Sequence, residues 1–147
     1  MAIHDLSLTS PDIASGARID DRFAGEHGST TPTMIVSGVP EGTVELALIC
    51  HDPDAPMPPG FTHWTLYGLA PRDGELVPDD GRSGPHDANG VGYVGPFPPP
   101  GHGDHHYFFW VYALSRAVTG EPTRQEFLDQ YADAVIGQAR IVGTYSR

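Results

Sequence analysis

Four of the ten residues 51–60 are proline, and so are four of the seven residues 95–101. Proline has no N–H and a fixed φ, so neither stretch can run inside a helix or pair in the middle of a sheet. Each stretch leads into an apolar run with strand character, residues 62–69 after the first and residues 107–114 (YFFWVYAL) after the second. A third run, residues 44–50, feeds the first loop. A chain built this way has to be made of strands held by rigid loops. The 15 prolines and 18 glycines lie between apolar segments rather than in a repeat, which reads as many ordered turns. We therefore expect an all-β-dominated fold in one domain, residues 1–147, large enough for a hydrophobic core.

Along the chain, Leu6 and Leu8 alternate with Ser7 and Thr9 as an edge strand. Residues 10–33 read as loops, and Met34, Ile35 and Val36 as a short strand. Tyr93 and Val94 suggest another. Residues 107–114 are apolar on both faces, as in a central strand of a packed sheet. Residues 70–92 read as one long surface connection, a length that is uncommon in a compact domain and often functional. The spacing predicts one helix. Thr123 and Glu126 form a capping box just after Pro122, and Phe127, Tyr131, Ala134 and Val135 then share a face. Gly137 ends or kinks that helix, and residues 141–145 form a last short strand.

Composition removes several chemistries. The chain has no lysine, and its 8 basic residues are all arginine. A phosphate-loop lysine, a Schiff-base lysine and a Ser-x-x-Lys pair are thereby excluded. With a net charge of -11 and scattered arginines, no nucleic-acid partner and no bulk attraction to an anionic membrane are expected. No apolar run reaches about 18 residues, so no integral membrane segment is expected. The N-terminal stretch shows no basic region followed by an apolar one, so no signal peptide is expected. The single cysteine, Cys50, has no internal partner, and a cytoplasmic location is the default.

Ionisable groups gather in the two proline-rich stretches. The first carries His51, Asp52, Asp54 and His63; the second carries His102, Asp104, His105, His106 and Tyr107. Strand alternation puts His105 and Tyr107 on one face and His106 on the other. Imidazoles, a phenol and turn N–H groups donate hydrogen bonds, and nearby carboxylates orient the imidazoles. That set suits a phosphate or carboxylate ligand, although one histidine alone is as readily a group that satisfies loop backbone. A metal site is the rival. His51, His102, Asp104, His105 and His106 supply donors, but His105 and His106 face opposite ways and no His-Glu-x-x-His pattern is present. No Gly-x-Ser-x-Gly elbow exists, and Cys50, inside an apolar run, reads as a core residue. Trp64 and Trp110 read as core aromatics, with Trp64 able to line a pocket beside His63.

DPDAP (52–56), HW (63–64) and GPFPPPGHGDHHYFFWVYAL (95–114) resemble the phosphatidylethanolamine-binding proteins, most closely their bacterial Raf-kinase-inhibitor-like branch. TPTMIVSGVPEGTVELAL (31–48) and IGQARIVGTYSR (136–147) extend the likeness over nearly the whole chain. The resemblance implies a Greek-key β-sandwich of two antiparallel sheets, with a helix near the C-terminus beside the site. It implies that Asp52, His63, His105 and Tyr107 line a small anion pocket. Asp54 would buttress its loop, Pro98 and Pro99 would shape the opposite wall, and Pro56 would follow a cis peptide bond. Three positions depart from the family pattern: His106 stands where an arginine is usual, Val36 replaces a tryptophan, and His51 stands where an acid often precedes the motif.

Two functional readings follow. One is a binding module for a small phosphate or carboxylate, a headgroup rather than a whole lipid, with regulation of a kinase or other partner protein as its extension. The other is an enzyme in which His63, His105, Asp52 and Tyr107 perform general acid-base work, such as a dehydration, cyclisation or hydrolysis. Protease inhibition, known in the family, is a third. Neither main reading requires a cofactor. A homodimer through exposed aromatic residues on sandwich strands is expected.

Overall fold

In the computed structural model, residues 6–147 are described; the part of the leader reading that rests on residues 1–5 lies outside them. In chain order the strands are β1 (Ser7–Thr9), β2 (Ile35–Ser37), β3 (Glu45–Asp52), β4 (Phe61–Leu69), β5 (Gly74–Glu75), β6 (Arg82–Ser83), β7 (Pro85–His86), β8 (Gly90–Val91), β9 (His105–Leu114) and β10 (Val135–Tyr145). The helix α1 (Arg124–Tyr131) precedes the last of them. Strands β1, β2 and β5 form one sheet, and β10, β9, β3, β4 and β6, in that order, form the other. Strands β7 and β8 make a small hairpin. All pairings within these sheets are antiparallel. The chain enters the large sheet at β3, returns to the small one for β5, and re-enters the large sheet at β6. With β9 laid between β3 and β10 instead of beside β4, this is a Greek-key β-sandwich.

The apolar runs decide the layering. All eight residues of β3 are buried, because it pairs with β4 on one edge and β9 on the other. Its side chains alternate. Leu46, Leu48 and Cys50 face the main core with Leu8, Val36, Trp64, Phe109 and Val111. Ala47 and Ile49 face a second cluster with Tyr67, Tyr112 and Phe127. The small sheet closes the first face, and α1 closes the second. The helix begins as the sequence predicts: the Thr123 side chain caps the Glu126 N–H, and Glu126 returns to the Thr123 N–H. Its Phe127 is fully buried, worth roughly 2–3 kcal/mol of hydrophobic free energy.

Five expectations need correction. The helix ends at Tyr131 and passes through a single 3-10 turn at Ala132–Ala134. Val135 and Gly137 therefore belong to β10, which runs eleven residues rather than five. Strand β10 pairs with β9 along its length, with a bulge between Val135 and Gly137; that ladder overrides the continued helical spacing. The helix lies on the sheet face opposite the cavity described below, not beside it. Residues 70–92 carry four two-residue strand pieces instead of one open connection. Tyr93 and Val94 form no strand. Finally, the cis bond is Pro58–Pro59, and the bond before Pro56 is trans.

Candidate functional site

Three neighbouring strands deliver the ionisable groups to one end of the large sheet. Strand β3 ends at Asp52 where β4 begins at Phe61, and antiparallel β9 begins at the same end with His105. Asp52 lies on the face of Cys50, and His105 lies on the face of Tyr107, so alternation aims both toward the same side. His63 reaches that side by a different device. In the β3–β4 ladder Cys50 pairs with Trp64 and His51 with Thr62, which leaves His63 as an extra, unpaired residue. A β-bulge of this kind re-aims side chains. Here it lets His63 share a face with its neighbour Trp64, which simple alternation would forbid.

The result is a cavity of about 370 Å³. Its polar floor is Asp52, His63, His105 and Tyr107, and its walls include Ala55, Pro56, Met57, Phe61, Pro98 and Pro99. All four floor residues are buried. Asp54 is not a lining residue. Its N–H donates to Asp52 Oδ1 at 2.8 Å, and its own Oδ2 accepts the His106 N–H at 2.8 Å and faces His106 Nδ1 at 2.7 Å. It thus ties the first proline-rich loop to the start of β9. Although burial raises the Asp54 pKa, the side-chain and backbone hydrogen bonds from His106 outweigh it and hold the carboxyl below its ordinary value.

Each Asp52 oxygen has a partner: Oδ1 accepts from the Asp54 N–H, and Oδ2 lies 2.6 Å from His105 Nδ1. The other nitrogen of His105, Nε2, lies 2.6 Å from Nδ1 of exposed His102. Asp52, His105 and His102 therefore make a hydrogen-bonded chain from the buried floor to the surface. His63 Nδ1 donates to Val94 O at 2.8 Å, and the Val94 N–H donates back to His63 O at 2.9 Å. The ring is flanked by Phe61 and Tyr107, with centroids at 4.8 and 5.2 Å. Burial pushes the His63 pKa down to about 4. Burial likewise drives the Tyr107 phenol far upward, so its proton stays. Among the described residues neither His63 Nε2 nor the Tyr107 hydroxyl has a hydrogen-bond partner of standard geometry, although the Asp52 carboxylate lies close enough to the phenol to help hold its proton. Among the described residues no buried side-chain N or O lacks a partner, so both atoms reach the open cavity.

Other groups named from the sequence go elsewhere. His51 Nε2 donates to Pro59 O and Nδ1 accepts from Thr62 Oγ1, each at 3.1 Å; it holds the first loop and is not a lining residue. His106 faces away from the cavity. Trp64 packs on Tyr93 in the core, and Cys50 is buried there, its thiol pKa raised by burial. Among the described residues no group of three His, Cys, Asp or Glu side chains is arranged to hold a metal ion. Among the described residues no helix is long and apolar enough to cross a membrane.

Sequence reasoning missed the role of His102, which it had weighed only as a metal ligand. It also missed the outer clamp. Arg147 Nε donates to Pro98 O at 2.7 Å, and its guanidinium lies 4.1 Å over the Phe97 ring. The lone aromatic among the prolines of the second loop was the available signal.

A Greek-key sandwich with a His–Asp–Tyr cavity at one sheet end defines the class. A family model described as phosphatidylethanolamine-binding protein matches residues 9–146, and the chain belongs to that family. The chain is 38% identical over 150 residues to a Mycobacterium tuberculosis protein named as a lipoprotein, LppC, covering 98% of this chain and 74% of that protein. The crystal structure of Escherichia coli YbcL, titled a member of the mammalian PEBP family, matches with a TM-score of 0.89 at 28% identity, over 97% of this chain and 99% of that one. Chlamydia trachomatis CT736, titled a homologue of the phosphatidylethanolamine-binding proteins, matches with a TM-score of 0.88 at 27% identity, over 99% of each chain.

Proposed function

We propose that the cavity binds a small oxyanion, a phosphate or carboxylate of headgroup size. The observation that carries this reading is the pair of atoms left open on its floor. The Tyr107 hydroxyl is a donor and His63 Nε2 is unpaired, while each Asp52 oxygen already has a partner. An anion seated there meets polar partners rather than a bare carboxylate. Asp54, Pro98 and Pro99 shape the site, and no cofactor is invoked. The apolar residues Met57 of the first loop and Phe97 of the second, 50% and 55% exposed, both line the cavity. They are the proposed contact for a partner protein, a kinase among the possibilities. A homodimer and a cytoplasmic setting belong to the same proposal; sedimentation and cell fractionation test them. For the central reading, inorganic phosphate and phosphoethanolamine are titrated calorimetrically into wild type and His105→Ala. Saturable binding that the substitution weakens at least tenfold supports the pocket, and no saturation in wild type rejects it.

The Asp52–His105–His102 chain favours a second reading, in which the same floor moves protons on a small substrate. It predicts turnover with a pH profile that changes in His102→Ala and is lost in His105→Ala.

A further inference from the structure

We propose that His63 makes the cavity selective for oxyanions that bring their own O–H, so that a monoprotonated phosphate monoester is accepted and a sulfate ester of the same size and charge is refused. This rests on the anion-pocket reading above and narrows its ligand class.

The geometry fixes where the proton of His63 sits. The Nδ1 atom is 2.8 Å from Val94 O, and a carbonyl oxygen can only accept, so Nδ1 carries the hydrogen. A neutral imidazole has a single N–H, which leaves Nε2 as a bare acceptor aimed at the cavity. The ring cannot readily turn over to reverse this. It is 4% exposed, sits on a bulge, and lies between Phe61 and Tyr107. Val94 is itself held by the return hydrogen bond to His63 O. Charging the ring would supply an Nε2–H, and burial opposes that most strongly, with His51 also opposing it. Asp52 from β3 and the carbonyls of Val94 and Gly95 favour the charged form, yet the net shift is down to about 4. Tyr107 and His105 face the same space from β9; the phenol keeps its proton, and His105 is paired to Asp52.

An oxygen without a hydrogen, placed against Nε2, would set lone pair against lone pair on a floor whose side chains are buried. A P–OH donates to Nε2, and the Tyr107 O–H donates to a second oxygen. Sites built around a hydrogen bond to a ligand O–H discriminate strongly against analogues that lack it.

The test compares methyl phosphate with methyl sulfate by calorimetry on the full chain at pH 6. Near that pH about half of a phosphate monoester is the monoanion bearing one P–OH, whereas methyl sulfate is a monoanion with none. We expect methyl phosphate to bind at least tenfold tighter, about 1.4 kcal/mol. The gap should narrow as pH falls toward about 4, where His63 itself charges. Equal affinity at pH 6 overturns the inference and leaves the anion pocket standing; binding of neither ester removes the pocket reading and the inference together. A nitrogen-15 spectrum of His63 at pH 6 provides a check that needs no variant. A protonated Nδ1 with a bare Nε2 is expected, and a protonated Nε2 contradicts it. His63→Gln, whose amide can donate, should gain affinity for methyl sulfate; an unchanged preference in a variant with a folded spectrum also overturns the proposal.

Discussion

At 4% exposure His63 has its pKa pushed down to about 4 by burial, against an ordinary value near 6.5. Between those values the unfolded chain holds a proton on this ring and the folded chain does not. Stability from this group is thus fully present above pH 6.5 and is lost as pH falls toward 4, by an amount on the order of 3 kcal/mol. Urea unfolding at pH 4.5 and pH 7 checks this: the drop in wild type should exceed the drop in His63→Gln, and equal drops would contradict it. The ionisable residues themselves were legible in the sequence, since two proline-rich stretches each carried a cluster of them. Strand alternation also assigned His105 and Tyr107 to one face and His106 to the other. It could not supply the aim of His63, because a bulge is a mismatch between two strands and neither strand shows it alone. The pairing of His102 with His105 was hidden for a similar reason: it depends on a loop folding back over three residues.

Among elements, the first proline-rich loop makes a close backbone approach at a residue with positive φ. Gly60 has φ +113°, and a Cβ there would collide with Asp52 O and lie 2.8 Å from Pro53 Cα. Gly101, in the second loop, has φ +76° with nothing near its missing Cβ. Gly60→Ala should therefore cost at least about 2 kcal/mol and disturb Asp52, whereas Gly101→Ala should cost only about 1 kcal/mol of left-handed strain. Denaturant midpoints of the two variants decide the matter; comparable losses would show that the crowding at Gly60 is relieved elsewhere. Element types were read well where the period was unambiguous, as in β3, β4, β9 and the capped start of α1. The misreading of β10 has a clear cause. Val135 continues the helical spacing, yet it and residues 137–141 pair with β9, and the ladder wins through contacts that local pattern does not contain. Two of the two-residue strands of residues 70–92 are equally non-local, since β5 exists because β2 offers it an edge and β6 because β4 does.

At the scale of the whole molecule, a net charge of -11 surrounds a cavity proposed to hold an anion. Long-range repulsion should weaken capture of inorganic phosphate at low salt. Raising NaCl from about 10 to 150 mM shortens the Debye length from roughly 30 to 8 Å. The association rate for phosphate should rise several-fold over that range; a steady fall would mean that chloride competes for the floor or that the local field is already positive. The layering explains why the site lies where it does. Three antiparallel strands bring Asp52, His63, His105 and Tyr107 to one end of the large sheet, the small sheet closes the core beneath them, and α1 shields the opposite face. Two proline-rich loops then stand over that end as walls. The most direct test follows the floor itself: phosphate is titrated while the His63 and His105 ring nitrogens and the Tyr107 ring are observed by NMR. Saturable shifts at all three, with one dissociation constant, are the predicted result; shifts confined to other residues, or none, would contradict it.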